Sequence, residues 1–260
     1  MLSDDELLRY SRQIMLPQWD IAAQERIKAA KALIVGMGGL GCPTALYLAS
    51  AGVGELWLAD FDTVEVSNLQ RQVLYRDSDI GSPKAQAAAK HLQQVNPYIV
   101  LRPMLEALNV DNLLAIVQQV DVVLDCSDNF TTRDAVNTAC VQANKPLISA
   151  AAIGLSGQLS VFDGGHEHRP CYRCLYPQAD EQSMTCSESG VLATLVGVMG
   201  TLQAHEALKC LSGLGEGLYG KLLLWDADMP TWRTLKFRKD PACPVCGQNN
   251  TNRTDMLHRN

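Results

Sequence analysis

The glycine-rich run at residues 34–41, with the sequence I-V-G-M-G-G-L-G, constrains the fold of this chain more than any other stretch. It follows a short apolar segment and leads directly into a helical pattern at 43–49. A strand that ends in G-x-G-x-x-G and turns into a helix presents backbone N–H groups and the positive helix end to a phosphate. The same glycines also serve tight turns and close helix–strand packing where no ligand binds. The run therefore predicts a nucleotide-binding βαβ unit without identifying the nucleotide.

The net charge argues against nucleic acid as a partner. The chain has 260 residues and a formal net charge of -6, whereas proteins that bind a phosphate backbone through bulk charge are basic. Residues 1–15 contain no apolar run of signal-peptide length, and the longest apolar stretch, 190–204, is too short and too rich in glycine to span a bilayer. We expect a cytoplasmic protein that binds neither nucleic acid nor a membrane.

The alternation of apolar runs and helical segments predicts an α/β fold. This alternation is typical of a Rossmann-like, mostly parallel sheet with helices on both faces. The predicted strands are 32–36, 55–60, 99–103, 121–125 and 146–150, and the predicted helices are 3–15, 20–31, 43–51, 83–95, 110–119 and 131–143. The first helix is expected to begin with a capping box of Ser3 and Glu6. The helix at 83–95 is expected to have Ser82 as its N-cap and Pro83 as its first residue.

The second half is expected to be richer in strands. The predicted strands are 158–163, 221–226 and 234–238, with a core helix at 190–211 and antiparallel pairing as one arrangement. We treat 1–247 as a single domain with three parts: N-terminal helices at 1–31, a nucleotide-binding core at 32–155 and a C-terminal part at 156–247. The polar residues 248–260 have no periodicity, so we expect a flexible tail there.

Two C-x-x-C pairs provide the four thiolates of a tetrahedral structural zinc site. The pairs are Cys171 with Cys174 and Cys243 with Cys246, and 68 residues lie between them. A metal bound to both pairs would join two distant parts of the chain, and four thiolates leave no open position for a catalytic water. The alternative is two unrelated pairs of reduced cysteines. The cysteines in apolar segments are expected in the core, and they are Cys42, Cys126, Cys140 and Cys210.

Acidic residues follow two of the predicted strands, at the sheet edge where ligands bind in α/β folds. Asp60 ends the second strand about 20 residues after the glycines, which is where a ribose hydroxyl is bound in such folds. Asp125 and Asp128 follow a predicted central strand. A carboxylate there suits a magnesium ion held against phosphates, and Asp128 is equally suited to capping the next helix.

Three polar residues beyond the second strand, Asn68, Arg71 and Lys84, are within reach of the same edge. Two cations and an amide can form a phosphate clamp, but a solvated surface turn has the same composition. Cys186 lies in a polar stretch that has no helix or strand pattern. Its thiol is either an exposed nucleophile or an inert loop cysteine.

Motifs along nearly the whole chain together resemble the MoeB/ThiF enzymes, which are bacterial relatives of the ubiquitin-activating enzymes. In chain order the motifs are R-Y-S-R-Q-I (9–14), G-M-G-G-L-G (36–41), D-F-D-T-V-E-V-S-N-L-Q-R-Q (60–72), P-K (83–84), D-C-S-D-N (125–129), C-Y-R-C (171–174), G-V-M-G-T-L-Q-A (197–204) and C-P-V-C (243–246). The resemblance implies ATP-dependent adenylation of the C-terminal glycine of a small ubiquitin-like sulfur carrier that ends in Gly-Gly, with release of pyrophosphate. The molybdopterin-synthase small subunit is the favoured carrier, and the thiamine-pathway carrier is the alternative.

The resemblance also implies roles for individual residues. The nucleotide would be bordered by Gly36, Gly38, Gly39 and Gly41, its ribose held by Asp60, its phosphates contacted by Asn68, Arg71 and Lys84, and its magnesium ion bound by Asp128. Arg12 would reach the ATP of the partner protomer in an obligate homodimer. The four paired cysteines would bind the structural zinc, and the loop around Cys186 would lie near the carrier tail.

Two other classes of function fit part of the sequence. A nicotinamide-dependent dehydrogenase has the same glycine loop and acidic strand end, but it does not explain Arg71, Lys84 and Asp128 together, or the cysteine pairs. A non-catalytic module that only docks ubiquitin-like proteins is the second alternative. Because the chain ends soon after Cys246, we expect it to lack a fused sulfurtransferase domain and to obtain sulfur through a separate donor protein.

Overall fold

The computed structural model describes residues 1–177 and 190–247, which form helices around one eight-stranded sheet. The helices are α1 (Asp4–Arg9), α2 (Ser11–Ile14), α3 (Asp20–Ala29), α4 (Gly41–Ala51), α5 (Lys84–Val95), α6 (Val110–Val117), α7 (Phe130–Ala143), α8 (Tyr172–Leu175) and α9 (Ala193–Ser212). The strands are β1 (Lys31–Val35), β2 (Glu55–Ala59), β3 (Val100–Met104), β4 (Val122–Asp125), β5 (Leu147–Ile153), β6 (Ser156–Phe162), β7 (Lys221–Asp226) and β8 (Thr231–Lys236). Short 3₁₀ helices lie at Val66–Asn68 and Asp77–Asp79.

The strand order explains where a ligand can bind. The order across the sheet is β3-β2-β1-β4-β5-β6-β7-β8. Pairing is parallel from β3 to β5 and antiparallel from β5 to β8, which confirms the predicted parallel half and the predicted antiparallel pairing. From β1 the strands follow one another toward one edge of the sheet, as far as β3. The chain then returns to the other side of β1, and from β4 to β8 the strands follow one another toward the opposite edge. The carboxyl ends of β1 and β4 therefore flank a topological switch point, where open α/β sheets bind ligands.

The hydrophobic core has one cluster on each face of the sheet. Leu48 of α4 belongs to the first cluster, and Leu113 of α6 belongs to the second. Neighbouring residues of β4 point to opposite faces, so that Leu124 joins the first cluster and Val123 the second. All four residues of β4 are buried, which is why its first three residues are all apolar instead of alternating with polar ones.

The predicted helix at 3–15 is interrupted at Tyr10. Its capping box is present, since Ser3 N–H donates to Glu6 Oε2 at 2.8 Å and Glu6 N–H donates to Ser3 Oγ at 3.3 Å. Tyr10 is buried, and its hydroxyl accepts a hydrogen bond from Asn96 Nδ2 at 2.8 Å. This tertiary contact fixes Tyr10 outside helical geometry, so α1 ends and α2 begins beside it. Helical periodicity alone carries no sign of such a break.

Two other predicted boundaries are corrected by the structure. Helix α5 begins at Lys84, because Pro83 has an extended ψ of 130 and the Lys84 N–H donates to Asp62 O at 2.9 Å. The strand predicted at 234–238 begins earlier, at Thr231, because it forms a hairpin with β7 in which Trp225 is paired with Trp232. The rings of these two residues stack with centroids 5.1 Å apart.

The remaining helices and strands lie within about three residues of their predicted bounds, which is ordinary uncertainty for element ends. The division of the domain at residue 155 stays a prediction, and the predicted tail at 248–260 lies outside the described residues. No helix within residues 1–177 and 190–247 combines the length and the apolar character needed to cross a bilayer.

Candidate functional site

A cavity of about 680 Å³ opens at the carboxyl ends of β1, β2 and β4. Its walls include the glycine turn (36–41) after β1, the β2 loop (60–72) after β2 and the β4 turn (126–129) after β4. This volume is within the range of small-molecule and cofactor sites. The predicted site residues that line it are Gly36, Gly38, Gly39, Asp60, Asn68, Arg71, Lys84 and Asp128. Gly41 and Arg12 do not line it, and Cys186 lies outside the described residues.

The glycine turn contains glycines of two kinds. Gly36 has a φ of +93°, and a Cβ there would lie 2.8 Å from Cys126 O. A Cβ on Gly41 would lie 1.9 Å from Gly36 O. At Gly38, in contrast, a Cβ would meet only the Gln72 side chain, at 3.6 Å. Gly36 and Gly41 are therefore required by the backbone packing of the turn, whereas Gly38 leaves open backbone facing the cavity.

Asp60 holds the glycine turn against the β2 loop. Its Oδ2 accepts a hydrogen bond from Met37 N–H at 2.7 Å, and its Oδ1 accepts one from Asp62 N–H at 2.9 Å. Burial raises the pKa of the Asp60 carboxyl, although these two hydrogen bonds and the charge of Lys84 oppose that rise. Asp60 thus stands at the strand end where the sequence predicted a ribose ligand, and it already organises the backbone there.

The three residues predicted as a phosphate clamp lie together on the cavity wall. Lys84 is buried at the first turn of α5, and its Nζ pairs with Asp62 Oδ2 at 2.9 Å. The Asn68 side chain is buried and accepts a hydrogen bond from Glu65 N–H at 3.2 Å. Arg71 donates to Ser67 O at 2.9 Å. Because Asn68 and Lys84 are buried against the cavity, the loop is more ordered than a freely solvated surface turn.

The two aspartates after β4 have different environments. Asp125 is fully buried, accepts hydrogen bonds from Ser127 N–H at 3.1 Å and Ser149 Oγ at 2.8 Å, and pairs with Arg133 at 3.3 Å. Asp128 is exposed and lines the cavity. The N-cap of α7 is Asn129, whose Oδ1 accepts the Thr132 N–H at 2.8 Å. Asp128 is therefore not needed as the cap, and its carboxylate faces a site where a cation could be held.

Gln72 is a cavity residue to which the sequence analysis assigned no role. It is buried beside Gly38, and its Oε1 has no hydrogen-bond partner among the described residues. A buried amide oxygen without a partner costs stability unless something else supplies a donor. Its position next to Arg71 in the D-F-D…R-Q motif (60–72) could have indicated that it lines the cavity. A glutamine in a polar loop, however, has no distinguishing sequence pattern of its own.

Arg12 lies away from the cavity of its own chain. It is exposed on α2, and its neighbour Gln13 fixes that helix by donating to Gln24 Oε1 at 2.9 Å and to Ala51 O at 3.2 Å. The structure therefore does not bring Arg12 together with the other predicted site residues within one chain.

The two C-x-x-C pairs come together in space. The sulfur atoms lie 3.6 Å apart between Cys171 and Cys243 and 3.4 Å apart between Cys174 and Cys246, and all four lie within 4.8 Å of one another. A tetrahedral zinc ion with Zn–S distances of about 2.3 Å requires S···S distances of about 3.8 Å. Hydrogen bonding among the thiols lowers the pKa of Cys174 and raises the pKa of Cys171. This four-cysteine cluster fits a tetrahedral metal, and the reading as two unrelated pairs is wrong.

The other four cysteines among the described residues belong to the core, as predicted. Cys42, Cys126 and Cys140 are buried, and burial raises the pKa of each thiol, to about 12 for Cys42. Cys210 is half-buried, and burial also raises its pKa. A raised pKa keeps a thiol protonated and unreactive at neutral pH.

Comparison with known proteins identifies relatives of the chain. The model of the ThiF family matches residues 10–245. The chain is 48% identical over 247 residues to the molybdopterin-synthase adenylyltransferase of Escherichia coli (strain K12), covering 95% of this chain and 99% of that protein. It is also 48% identical over 249 residues to the sulfur carrier protein ThiS adenylyltransferase of the same strain, covering 96% and 98%. The crystal structure of E. coli MccB with ATP aligns with a TM-score of 0.81 at 26% identity, covering 92% of this chain and 73% of that chain.

Proposed function

Because the chain belongs to the ThiF family, we propose that it is an adenylyltransferase that activates the C-terminal glycine of a ubiquitin-like sulfur carrier protein with ATP. The observation that carries this proposal is that the glycine turn, Lys84, Arg71 and Asp128 line one cavity. Two sulfur-carrier adenylyltransferases are 48% identical to it over nearly their full lengths. The related MccB, whose structure was solved with ATP, supports a nucleotide in this cavity.

The chemistry requires two anions to approach each other. A carboxylate oxygen of the carrier's terminal glycine attacks the α-phosphorus of ATP, and the bond to the bridging oxygen breaks. The electron pair of that bond leaves with pyrophosphate, and an acyl adenylate remains. Lys84 and Arg71 would neutralise the phosphates, which lowers the repulsion between them and the carboxylate. Without ATP, Lys84 forms an ion pair with Asp62. The phosphates would replace the Asp62 carboxylate as the partner of the Lys84 ammonium group.

The other residues would orient the nucleotide. The backbone N–H groups of the glycine turn and the N-terminus of α4 would face the phosphates, while Asp60 would hold the ribose. Asn68 would complete the clamp from the β2 loop. Asp128 would bind Mg²⁺, which supplies charge neutralisation of the phosphate oxygens and suits carboxylate ligands.

The four-cysteine cluster would bind a structural Zn²⁺. The S···S distances and the four-thiolate donor set support this assignment, and such a site has no open position for chemistry. Its effect would be to tie the segment at 243–246 to α8, which follows β6 in the carrier-binding part, 156–247.

We favour the molybdopterin-synthase small subunit as the carrier, with the thiamine-pathway carrier as the alternative. The chain is equally identical to the E. coli relatives named for each, at 48%, so the assay must include both carriers. Arg12 would act on the partner protomer's ATP in a homodimer, which fits its exposed position outside its own cavity. The separate sulfur donor stays a prediction.

The decisive experiment is to incubate the protein with ATP, Mg²⁺ and each candidate carrier, and to measure the intact mass of the carrier. We expect an AMP adduct on the cognate carrier and none on a carrier that lacks its terminal Gly-Gly. The Asp128→Ala variant should form the adduct far more slowly. Carrier binding without an adduct would instead indicate a docking module, and NADH oxidation without ATP would indicate a dehydrogenase.

Mixed dimers test the shared site. Arg12→Ala and Asp128→Ala chains should each be impaired alone, whereas a mixture should regain part of the activity. In a mixed dimer one cavity has both defects and the other has neither. Absence of any recovery, with mixed dimers shown to form, would contradict the role of Arg12 across the dimer.

A further inference from the structure

A buried ion pair lies directly beneath the β4 turn. Asp125 at the end of β4 and Arg133 in the second turn of α7 are 0% and 6% exposed, and Arg133 Nη1 lies 3.3 Å from Asp125 Oδ2. The same Nη1 donates to Ser149 Oγ at 3.0 Å, and Ser149 Oγ in turn donates to Asp125 Oδ2 at 2.8 Å. Arg133 Nη2 donates to Ala150 O at 3.0 Å and to Ser127 O. One guanidinium therefore joins α7, β5 and the β4 turn.

These contacts fix the backbone on both sides of Asp128. On the N-terminal side, Cys126 N–H donates to Val35 O at 2.8 Å, and Ser127 is held through its N–H by Asp125 and through its carbonyl by Arg133. On the C-terminal side, Asn129 caps α7. Asp128 is the one residue between these anchors, and its side chain is exposed to the cavity. The anchors thus set the direction in which the Cα–Cβ bond of Asp128 leaves the backbone.

The charge of Arg133 is neutralised by a neighbouring buried carboxylate. Arg133 lies in the cavity wall, but Asp125 neutralises its guanidinium at 3.3 Å, so it is not a free cation for phosphate. A buried ion pair is often no more stabilising than apolar residues of the same volume, which makes stability a weak reason for placing one here. Arginine does offer what an apolar side chain cannot, because its planar fork donates to several acceptors at fixed angles.

We propose that Arg133 is a positioning residue for Asp128: by holding the Ser127 carbonyl against β5, it aims the Asp128 carboxylate at the metal ion that accompanies the nucleotide. The inference rests on the proposed function, in which Asp128 binds Mg²⁺. Arg133 itself would touch neither the metal nor the reacting atoms.

The test measures how much Mg²⁺ strengthens ATP binding. The dissociation constant of ATP is determined by titration calorimetry with and without Mg²⁺, and the ratio of the two values reports the metal contribution alone. In Arg133→Lys, which keeps the charge but loses the fork, we expect this ratio to fall about tenfold toward that of Asp128→Ala, since outer partners of metal ligands are worth 10- to 100-fold in metal affinity. A purely structural role would weaken ATP binding with and without Mg²⁺ by the same factor, and an unchanged ratio would overturn the proposal.

The matched control is Asp134→Asn, which removes a different ion pair of the same helix. Asp134 Oδ1 pairs with Arg173 Nε at 2.8 Å, and Asp134 Oδ2 accepts from Arg173 Nη2 at 3.0 Å. Within residues 1–177 and 190–247 the side chain has no hydrogen bond or ion pair to the β4 turn, so its loss should leave the ratio at the wild-type value. Should Arg133→Lys fail to fold, Ser149→Ala removes one link of the same network with a smaller perturbation. In Ser149→Ala the ratio of the two ATP dissociation constants should fall severalfold. If Ser149→Ala has the same ratio as wild type, the proposal is also overturned.

The wild-type protein separates this inference from the proposed function. If wild type binds ATP more tightly with Mg²⁺ but forms no acyl adenylate on either carrier, the proposed function fails. The role of Arg133 is then still decided by the ratio of ATP dissociation constants measured for Arg133→Lys. If wild type adenylates a carrier and Arg133→Lys keeps the full ratio, only the inference fails. If Mg²⁺ does not strengthen ATP binding in wild type, Asp128 is not a metal ligand and the inference falls with it.

Discussion

At the scale of single residues, the environment of Asp60 predicts that ATP affinity depends on pH. Its two carboxylate oxygens accept backbone N–H groups of Met37 and Asp62, and burial raises its pKa. As the pH falls through this raised pKa, the folded protein takes up a proton on Asp60, and the carboxyl loses acceptor capacity for these N–H groups and for a ribose hydroxyl. We therefore expect ATP affinity to fall over that range, as measured by calorimetry at a series of pH values.

The Asp60→Asn variant is the control for the titration of ATP itself. An amide has one oxygen and one NH₂, so one of the two N–H groups would face a donor. The variant should bind ATP about tenfold or more weakly at neutral pH, since the ribose hydroxyl would lose a hydrogen bond to a charged carboxylate, which contributes about 1.5–3 kcal/mol. Its residual affinity should lack the acid-side fall attributed to Asp60. An equal fall in wild type and variant would assign the pH dependence to another group.

Replacing Gln72 is expected to affect protein stability and ATP affinity differently. Its Oε1 lacks a partner among the described residues, so replacing the amide by an apolar side chain of similar length removes a cost. We expect Gln72→Met to keep or raise the melting temperature while ATP affinity falls. The control is Gln203→Met, because Gln203 Nε2 donates to Asp125 O at 2.8 Å and Ile148 O at 2.9 Å and its loss should lower the melting temperature. Equal destabilisation by both would contradict the interpretation of Gln72.

At the scale of elements, the glycine turn predicts two kinds of alanine variant. In Gly41→Ala the new Cβ would lie 1.9 Å from the carbonyl oxygen of Gly36, and we expect a loss of about 3 kcal/mol or more of the free energy of unfolding. In Gly38→Ala the nearest atom would lie at 3.6 Å, so the melting temperature should hardly change. The added methyl group should instead weaken ATP binding about tenfold, because it covers backbone that a phosphate would approach. Denaturant titration and calorimetry check both, and an unstable Gly38→Ala would contradict this division.

The elements also show what the sequence could and could not predict. β4 and the glycine turn were predictable because their signals, a continuous apolar run and closely spaced glycines, are local. The break at Tyr10 was not, since it depends on a hydrogen bond from Asn96, which is distant in sequence. The different environments of Asp125 and Asp128 were also hidden, because they depend on Arg133 and on Ser149 of another strand. Local pattern thus places the elements, and tertiary partners decide what each polar side chain does.

At the scale of the whole molecule, the four-cysteine cluster predicts the effect of metal removal. Cys243→Ser should lose bound zinc, measured as metal content per chain by mass spectrometry. It should also lower the melting temperature by about 5 °C or more, since the free energy of metal binding contributes to folding. Cys140→Ala is the matched control, because Cys140 is a buried cysteine outside the cluster and its loss should leave the metal in place. A wild-type protein that purifies without metal, or a Cys243→Ser variant that retains it fully, would contradict the prediction.

The whole sheet was largely predictable, and the assembly of its site was predictable only in part. Eight of the residues expected around a nucleotide do line one cavity, because strand ends of a parallel sheet meet at one edge. Arg12 is absent from that cavity, and an arginine that serves a second chain leaves no trace in the geometry of the first.

The wide spacing of the two cysteine pairs has a consequence for how the protein is made. Cys246 follows the end of β6 by 84 residues, which a ribosome adds in about 4 to 17 seconds at 5–20 residues per second. The strands that carry the glycine turn and the β4 turn are therefore synthesised well before the fourth thiolate exists. For most of that interval Cys171 and Cys174 would form only half of the proposed metal site. If the cluster binds zinc as proposed, firm retention of the ion would thus begin only once translation has passed residue 246, long after the parallel strands have been synthesised.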